Sequence, residues 1–434
     1  MKISVIGGGS SYTPELVDGF IEKSKAGEIK IDKLFLMDID KNRLKIVGEF
    51  VKFMVEKRTE KSPCKFEVVL TDDLKEAISG ADFVITQFRV GKNVARNKDL
   101  IIAKKWGVVG QETTGVGGFA KALRTIPVII DIIKIMEKFS PQAYLINFTN
   151  PVSIISQLIG NYSSLKWLGL CNVPKHLSMS IAELLGEKDD SNIYLDYIGL
   201  NHLSWVRRVF LNKKDVTNEV IRKYIFQTKG FKLKNIPEEY FLPEVLESLG
   251  MIPSPYLVYY YNQTAIIEKE KKEKKNRAQK VMEIEKRLFK IYKEKKTPQK
   301  PKLLSERGGA YYSIIAVELI SAIVNDKNES HIINTLNNGS FTDLPDNVSI
   351  ETNCVIGKDK IIPEKKGELP LSVKGLIYKV KAYETLTIEA ALEKSKKKAF
   401  LALLNHPLIP DSLVAKNILE DVLKANREFI GEYK

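Results

Sequence analysis

Over the first 195 residues, short apolar runs alternate with amphipathic stretches. The runs KISVIGG, KLFLMDID, FEVVLTDD, DFVITQF, AYLINFTNP and KWLGLCNVP are rich in β-branched and apolar residues, and stretches such as PELVDGFIEK and KALRTIPVIIDIIKIMEKF between them carry an apolar helical face. Strands alternating with helices build an open parallel sheet, because a parallel crossover needs a connection of helix length. Ligands of such sheets bind at the carboxyl ends of the strands, so the residues just after each run are candidates for chemistry. From about residue 196 the rhythm breaks. The remainder reads as mostly helical, with two strand segments near 331–340 and 347–357. This predicts an α/β domain over 1–195 and a second, α+β domain over 196–434 that returns to cover the strand ends. The lysine-rich 268–298 region reads as one long exposed helix.

The first run ends in VIGGGSSYTPEL. Gly7 and Gly9 keep the first two glycines of a dinucleotide-binding turn, and Tyr12 stands where a third would be. The turn follows a strand and opens a helix whose free N–H groups, with Ser10 and Ser11 beside them, suit a pyrophosphate. The second run ends in Asp38, an acidic side chain placed to accept hydrogen bonds from an adenosine ribose, which favours NAD over NADP. A Rossmann-like sheet holding NAD is therefore expected; an ordinary tight strand-to-helix turn would use the same glycines.

Three cysteines, Cys64, Cys171 and Cys354, at scattered spacing do not suggest a disulfide framework, and a reducing, cytoplasmic setting is expected. The N-terminal run passes straight into glycines without the longer apolar core and cleavage site of a signal peptide, and no apolar stretch is long enough to span a bilayer. The formal net charge of +14 comes largely from mixed-sign lysine runs such as EKEKKEKKNR. Such runs are ordinarily solvated faces, and no nucleic-acid-binding motif accompanies them, so neither nucleic acid nor membrane is an expected partner. An anionic small substrate suits the same surplus.

Cys171 closes the sixth run, and Asn201 and His202 close another, YLDYIGL. Two strand ends on one rim can bring a thiolate and an imidazole onto one divalent metal, completed by water or substrate oxygens. The same residues also suit a buried thiol and a hydrogen-bonded core histidine, and taken alone they do not decide.

The motifs GGGSSYTPEL, TQFRVG, GQETTGVGGFAKALRTIP, NFTNP, GLCNVP, GLNHLS, PYLVYYY and ERGGAYYS, spread nearly end to end, together resemble glycoside hydrolase family 4, in particular its 6-phospho-β-glucosidase branch. The resemblance implies a lactate/malate dehydrogenase-like fold carrying NAD and a divalent metal, usually manganese. It also implies an unusual glycosidase chemistry: the sugar is oxidised at C3, a tyrosine removes the C2 proton, the C1 substituent leaves by elimination, water adds at C1, and C3 is reduced again. A ketone next to C2 makes that C–H acidic enough for a phenolate, and no pair of acid/base carboxylates is needed.

Residue by residue, the resemblance makes Cys171 and His202 the metal ligands and Tyr256 the base, with Tyr259, Tyr260 and Tyr261 close enough to be confused with it. Arg96 and Asn150 match substrate-binding positions, and Arg277 matches an arginine that meets the sugar phosphate, although among its lysines it reads as a solvated helix residue. Asn147 and Glu112 are further contacts it suggests, and Arg89 suits a structural ion pair equally well. Asn172 follows the cysteine where α-specific relatives tend to carry Asp, which points to a β-linked, phosphorylated disaccharide or aryl glycoside. A homodimer or homotetramer is expected. An NAD-dependent 2-hydroxy-acid dehydrogenase is the alternative reading, sharing the nucleotide half without needing the thiol, the histidine or the tyrosine.

Overall fold

The computed structural model describes residues 1–226, 240–307 and 312–434, so residues 308–311 of the ERGGAYYS stretch lie outside the described residues. All six expected strands form: β1 (Lys2–Ile6), β2 (Lys33–Met37), β3 (Glu67–Thr71), β4 (Phe83–Thr86), β5 (Tyr144–Asn147) and β6 (Lys166–Gly169). They pair in parallel in the order 6-5-4-1-2-3, the doubly wound arrangement with its switch point between β1 and β4. Leu34, Ile3, Val84 and Leu145 from adjacent strands are fully buried, as expected where helices cover both faces of a sheet.

Beyond residue 190 come β7 (Ile193–Leu200), β8 (Leu203–Leu211), β9 (Lys214–Asp215), β10 (Ile252–Pro253), β11 (Glu329–Leu336), β12 (Ser349–Gly357) and β13 (Lys360–Pro363). The expected segments near 331–340 and 347–357 are β11 and β12, but they do not form a sheet of their own. With β13 they run antiparallel onto the β6 edge, where Asn334 pairs with Gly169, and lengthen the first sheet to nine strands. A boundary at 195/196 falls inside β7, and the two halves share one sheet. Strands β7 and β8 form a hairpin whose two-residue tip is Asn201–His202, with His202 at φ 64°.

The lysine-rich region is not one exposed helix. It is two helices, Gln263–Lys272 and Arg277–Glu294, broken at 273–276, where Asn276 caps the second through a reciprocal bond with Gln279. Ala278, Val281, Glu285, Leu288 and Tyr292 are buried along one stripe at three- and four-residue spacing. The charges between them hid that stripe in the sequence. The stripe lays the helix against helices Lys41–Thr59 and Lys92–Lys105 of the nucleotide half, which brings Arg277 to the strand ends.

Candidate active site

One cavity of about 650 Å³ opens at the carboxyl ends of β1, β2 and β4. Its wall takes in Gly7, Ser10 and Asp38 from the nucleotide side and Arg96, Asn150, Asn172, His202, Tyr256 and Arg277 from the substrate side. The fold thus gathers residues spread across some 270 positions of sequence.

On the nucleotide side, Gly7 lies at φ 94°, and a Cβ there would come within 2.9 Å of Phe88 backbone. A Cβ on Gly8, which the sequence reading passed over, would sit 2.8 Å from the Leu36 Cα, and one on Gly9 would sit 2.8 Å from the Asp38 carboxylate. The turn is bare so that it can lie on β2. Asp38 accepts from Gly9 N–H (3.0 Å) and Asp40 N–H (2.9 Å), which fixes its carboxylate at the cavity wall, while burial raises its pKa. Beside it Ile39 is 83% exposed, an apolar shelf of the kind a purine covers. Ser11 faces the other way: its hydroxyl donates to Glu285 (2.8 Å) and is fully buried. The fit to a dinucleotide thus rests on the bare turn, Ser10 and Asp38.

On the substrate side, Cys171 Sγ and His202 Nε2 lie 3.4 Å apart. Zinc, with sulfur at about 2.3 Å and nitrogen at about 2.1 Å, would span two such atoms about 3.1–3.6 Å apart for angles from about 90° to tetrahedral, so the pair is spaced to share one divalent ion of about that size. The tautomer agrees. Thr113 Oγ1 has a single proton and donates it to Gln111 Oε1 (2.7 Å), so at His202 Nδ1 (2.7 Å) it accepts, which places the imidazole proton on Nδ1 and turns the Nε2 lone pair towards the sulfur. Burial brings the His202 pKa down to about 3, so the ring is neutral and ready to ligate. Burial, and after it the Glu351 carboxylate, push the Cys171 thiol up, while the Val173 N–H at the start of helix Val173–Leu185 points at the sulfur (3.5 Å). A cation at this spot relieves the thiolate. Among the described residues no third His, Cys, Asp or Glu completes the set, which leaves positions for water or substrate oxygens.

The Tyr256 ring stacks on His202 with centroids 3.6 Å apart and planes 5° from parallel. It lines the cavity; Tyr259 and Tyr260 do not, and burial raises both of their pKa values. Tyr260 is instead spent on Thr114 Oγ1 (2.6 Å). Asn150 lines the cavity, and its side-chain oxygen is buried and makes no hydrogen bond among the described residues. Asn147 has no such freedom: its amide is occupied by Thr86 and Thr149, and it braces the loop leading to Asn150.

Glu112 is ion-paired to Arg89, Arg96 (3.0 Å) and Lys121 (3.9 Å). Burial works against its charge, but the three cations hold its carboxyl well below the usual range. Arg277 Nη2 donates to the Glu306 and Arg307 carbonyls (3.0 and 2.9 Å), which brings Arg307 to the wall beside it. Lys121, Glu285 and Arg307 were not singled out from the sequence. Lys121 and Glu285 sit on helices where a lone charge reads as solvated, and only the tertiary packing turns them inward. Among the described residues the wall carries seven cationic side chains (Arg43, Arg89, Lys92, Arg96, Lys121, Arg277, Arg307) against three acids (Asp38, Glu112, Glu285), a lining suited to phosphates.

A dinucleotide-type turn opening into the cavity that His202, paired with the Cys171 sulfur, also lines, under a wall with a surplus of positive charge, defines a cofactor-assisted enzyme acting on a phosphorylated substrate. The chain belongs to glycoside hydrolase family 4: the model described as "Family 4 glycosyl hydrolase" matches residues 2–187, and that of the "Family 4 glycosyl hydrolase C-terminal domain" matches residues 197–409. It is 41% identical over 439 residues to a probable 6-phospho-beta-glucosidase of Bacillus subtilis (strain 168), covering 100% of this chain and 98% of that one. A solved 6-phospho-beta-glucosidase of Thermotoga maritima, described with manganese, NAD+ and glucose-6-phosphate, superposes with a TM-score of 0.90 at 39% identity, covering 100% of both chains. Malate dehydrogenase from Plasmodium falciparum, 13% identical with a TM-score of 0.52 over 90% of this chain and 98% of that one, shares the fold.

Proposed function

We propose that this protein hydrolyses 6-phospho-β-glucosides, cellobiose 6-phosphate among them, to glucose 6-phosphate by oxidation at C3, deprotonation at C2, elimination at C1, addition of water and reduction at C3. The observation that carries the reading is the stack of Tyr256 on His202, 3.4 Å from the Cys171 sulfur, in the cavity that Gly7 and Asp38 also line. When bound, NAD supplies the reversible oxidation at C3, and a divalent cation, manganese for preference, supplies Lewis acidity beside it. Cys171 and His202 would hold the cation, and Gly7, Gly9, Ser10 and Asp38 the dinucleotide. Tyr256 takes the C2 proton, and the His202 stack holds its phenol in place. Arg277, with Arg307 beside it, receives the 6-phosphate in charge-assisted contacts. Asn150, which lines the cavity, offers its amide to a sugar hydroxyl, and Arg96, clamped by Glu112, presents a fixed donor. Asn172 cannot donate as an acid, which suits a β-linked substrate. A 2-hydroxy-acid dehydrogenase would leave the thiol–imidazole pair and the stacked tyrosine without work. The reading includes a cytoplasmic location and a homodimer or homotetramer, the latter measurable by light scattering; among the described residues no helix is long and apolar enough to cross a membrane.

The test is hydrolysis of a 6-phospho-β-glucoside in heavy water with NAD and manganese supplied. Deuterium is expected at C2 of the released glucose 6-phosphate, and Tyr256→Phe should remove exchange and hydrolysis together. Retention of the original C2 hydrogen, with activity in enzyme stripped of NAD, overturns the reading.

A further inference from the structure

Close to the Cys171–His202 pair, and not among the residues that line the cavity, lies a carboxylate that the reaction does not use. Glu351, on β12, is 1% exposed. Its Oε1 accepts from Asn201 Nδ2 and Asn334 Nδ2 (2.9 Å each), and its Oε2 from the Tyr197 hydroxyl (3.2 Å). Those donors are not scattered. Asn201 is the neighbour of His202 at the β7–β8 tip, and its amide sits against the Cys171 sulfur, where it favours the thiolate. Asn334 is the β11 residue paired with Gly169, two positions before Cys171. One carboxylate therefore ties the strand end that carries the sulfur to the hairpin tip that carries the imidazole. Among the described residues all of its hydrogen-bond donors are neutral, and burial raises its pKa, so its charge is favoured only with a cation close by.

Charge gives this arrangement a purpose. A divalent cation held by one thiolate and one neutral imidazole leaves a net +1 in a buried place, and a buried charge is costly unless another offsets it. A carboxylate at Glu351 brings the sum of cation, thiolate and carboxylate to zero. We infer that Glu351 is a positioning residue for the metal centre: through Asn201 and Asn334 it sets the spacing of Cys171 and His202, and its charge balances the cation they hold. The inference rests on the ligand assignment made above and goes beyond it to a residue that touches neither substrate nor metal.

Manganese binding to the full-length protein, followed by calorimetry without substrate, tests it. Outer partners of metal ligands are typically worth about 10- to 100-fold in affinity, so Glu351→Gln should raise the manganese Kd by about that factor while NAD affinity holds. In the cobalt(II)-loaded protein the sulfur-to-metal absorption should shift or weaken. If Glu351→Gln does not fold, Asn201→Ala, which cuts the link and keeps the carboxylate, should show the same loss of affinity. The double variant Glu351→Gln with Asn334→Asp, which moves the charge across the hydrogen bond, should recover part of it. Manganese affinity lost in Cys171→Ala but within twofold of wild type in folded Glu351→Gln, or in Asn201→Ala where that is the variant read, overturns this inference alone. Affinity that survives Cys171→Ala overturns the ligand assignment along with it.

Discussion

Arg277 shows how much a residue's meaning depends on what its neighbours do with their own groups. It sits in KKNRAQK, where the surrounding charges make it look solvated, yet it opens helix Arg277–Glu294 and two main-chain carbonyls fix its guanidinium at the cavity wall. A guanidinium held this way is already oriented for a phosphate, so little rotamer freedom is lost on binding. Arg277→Ala should raise KM for a 6-phosphorylated glucoside by roughly ten- to hundredfold, corresponding to about 1.5–3 kcal/mol for a charge-assisted contact. Any turnover of the unphosphorylated analogue should change little, and comparing steady-state kinetics on the two substrates reads the difference directly. Equal losses on both would move the phosphate site elsewhere. Cys171 and His202 are a different kind of case. Their types and strand-end positions were visible in the chain, but 31 residues of sequence separate them, and only the facing of the β6 end and the β7–β8 tip makes them a pair.

At the scale of elements, the glycines of GVGG show a constraint that composition conceals. Helix Gly115–Phe139 begins directly beneath the loop 111–114, and a Cβ on Gly117 would lie 2.1 Å from the Gln111 carbonyl oxygen and 3.2 Å from the Glu112 Cα. Glycine inside a helix is ordinarily a cost; here it lets a loop carrying Glu112 and Thr113 lie on the helix. Gly117→Ala should destabilise the protein by about 1–3 kcal/mol, as overpacking does. It should also lift Glu112 off Arg89 and Arg96, so that KM rises together with the loss in melting temperature. A variant that melts earlier but keeps its KM would show that the loop does not set the arginines. The six parallel strands were legible because each is a short β-branched run bounded by a turn, and β11 and β12 were legible for the same reason. Which sheet β11 and β12 would join was not, because pairing to the β6 edge is a long-range event without a local signature. Nor was β8 recognised, since LSWVRRVFL carries Arg207 and Arg208 in its middle.

For the molecule as a whole, Glu285 is one of the points, besides the shared sheet, where the two halves are fastened. From the buried stripe of helix Arg277–Glu294 it accepts the Ser11 hydroxyl of the glycine turn (2.8 Å), Arg43 of helix Lys41–Thr59 (3.0 Å) and Asn93 of helix Lys92–Lys105 (2.9 Å), with Arg307 3.8 Å away. Burial alone would raise its pKa. Arg307 and Arg43 more than offset that and take it from the ordinary 4.5 down to about 2. A carboxylate whose folded value lies below its unfolded one contributes stability that is complete above about pH 4.5 and lost as the pH falls through about 2, because the unfolded chain takes up the proton first. The side chain is only 9% exposed, so solvent screening removes little, and the shift amounts to about 3 kcal/mol. Glu285→Gln should therefore melt well below the wild type at pH 7, and the gap should narrow steadily from about pH 4.5 downward, leaving only what the neutral hydrogen bonds contribute. Scanning calorimetry of both proteins across that range measures the gap. A difference that stays constant with pH would mean that Glu285 fastens the halves by shape and hydrogen bonding, with no contribution from its charge.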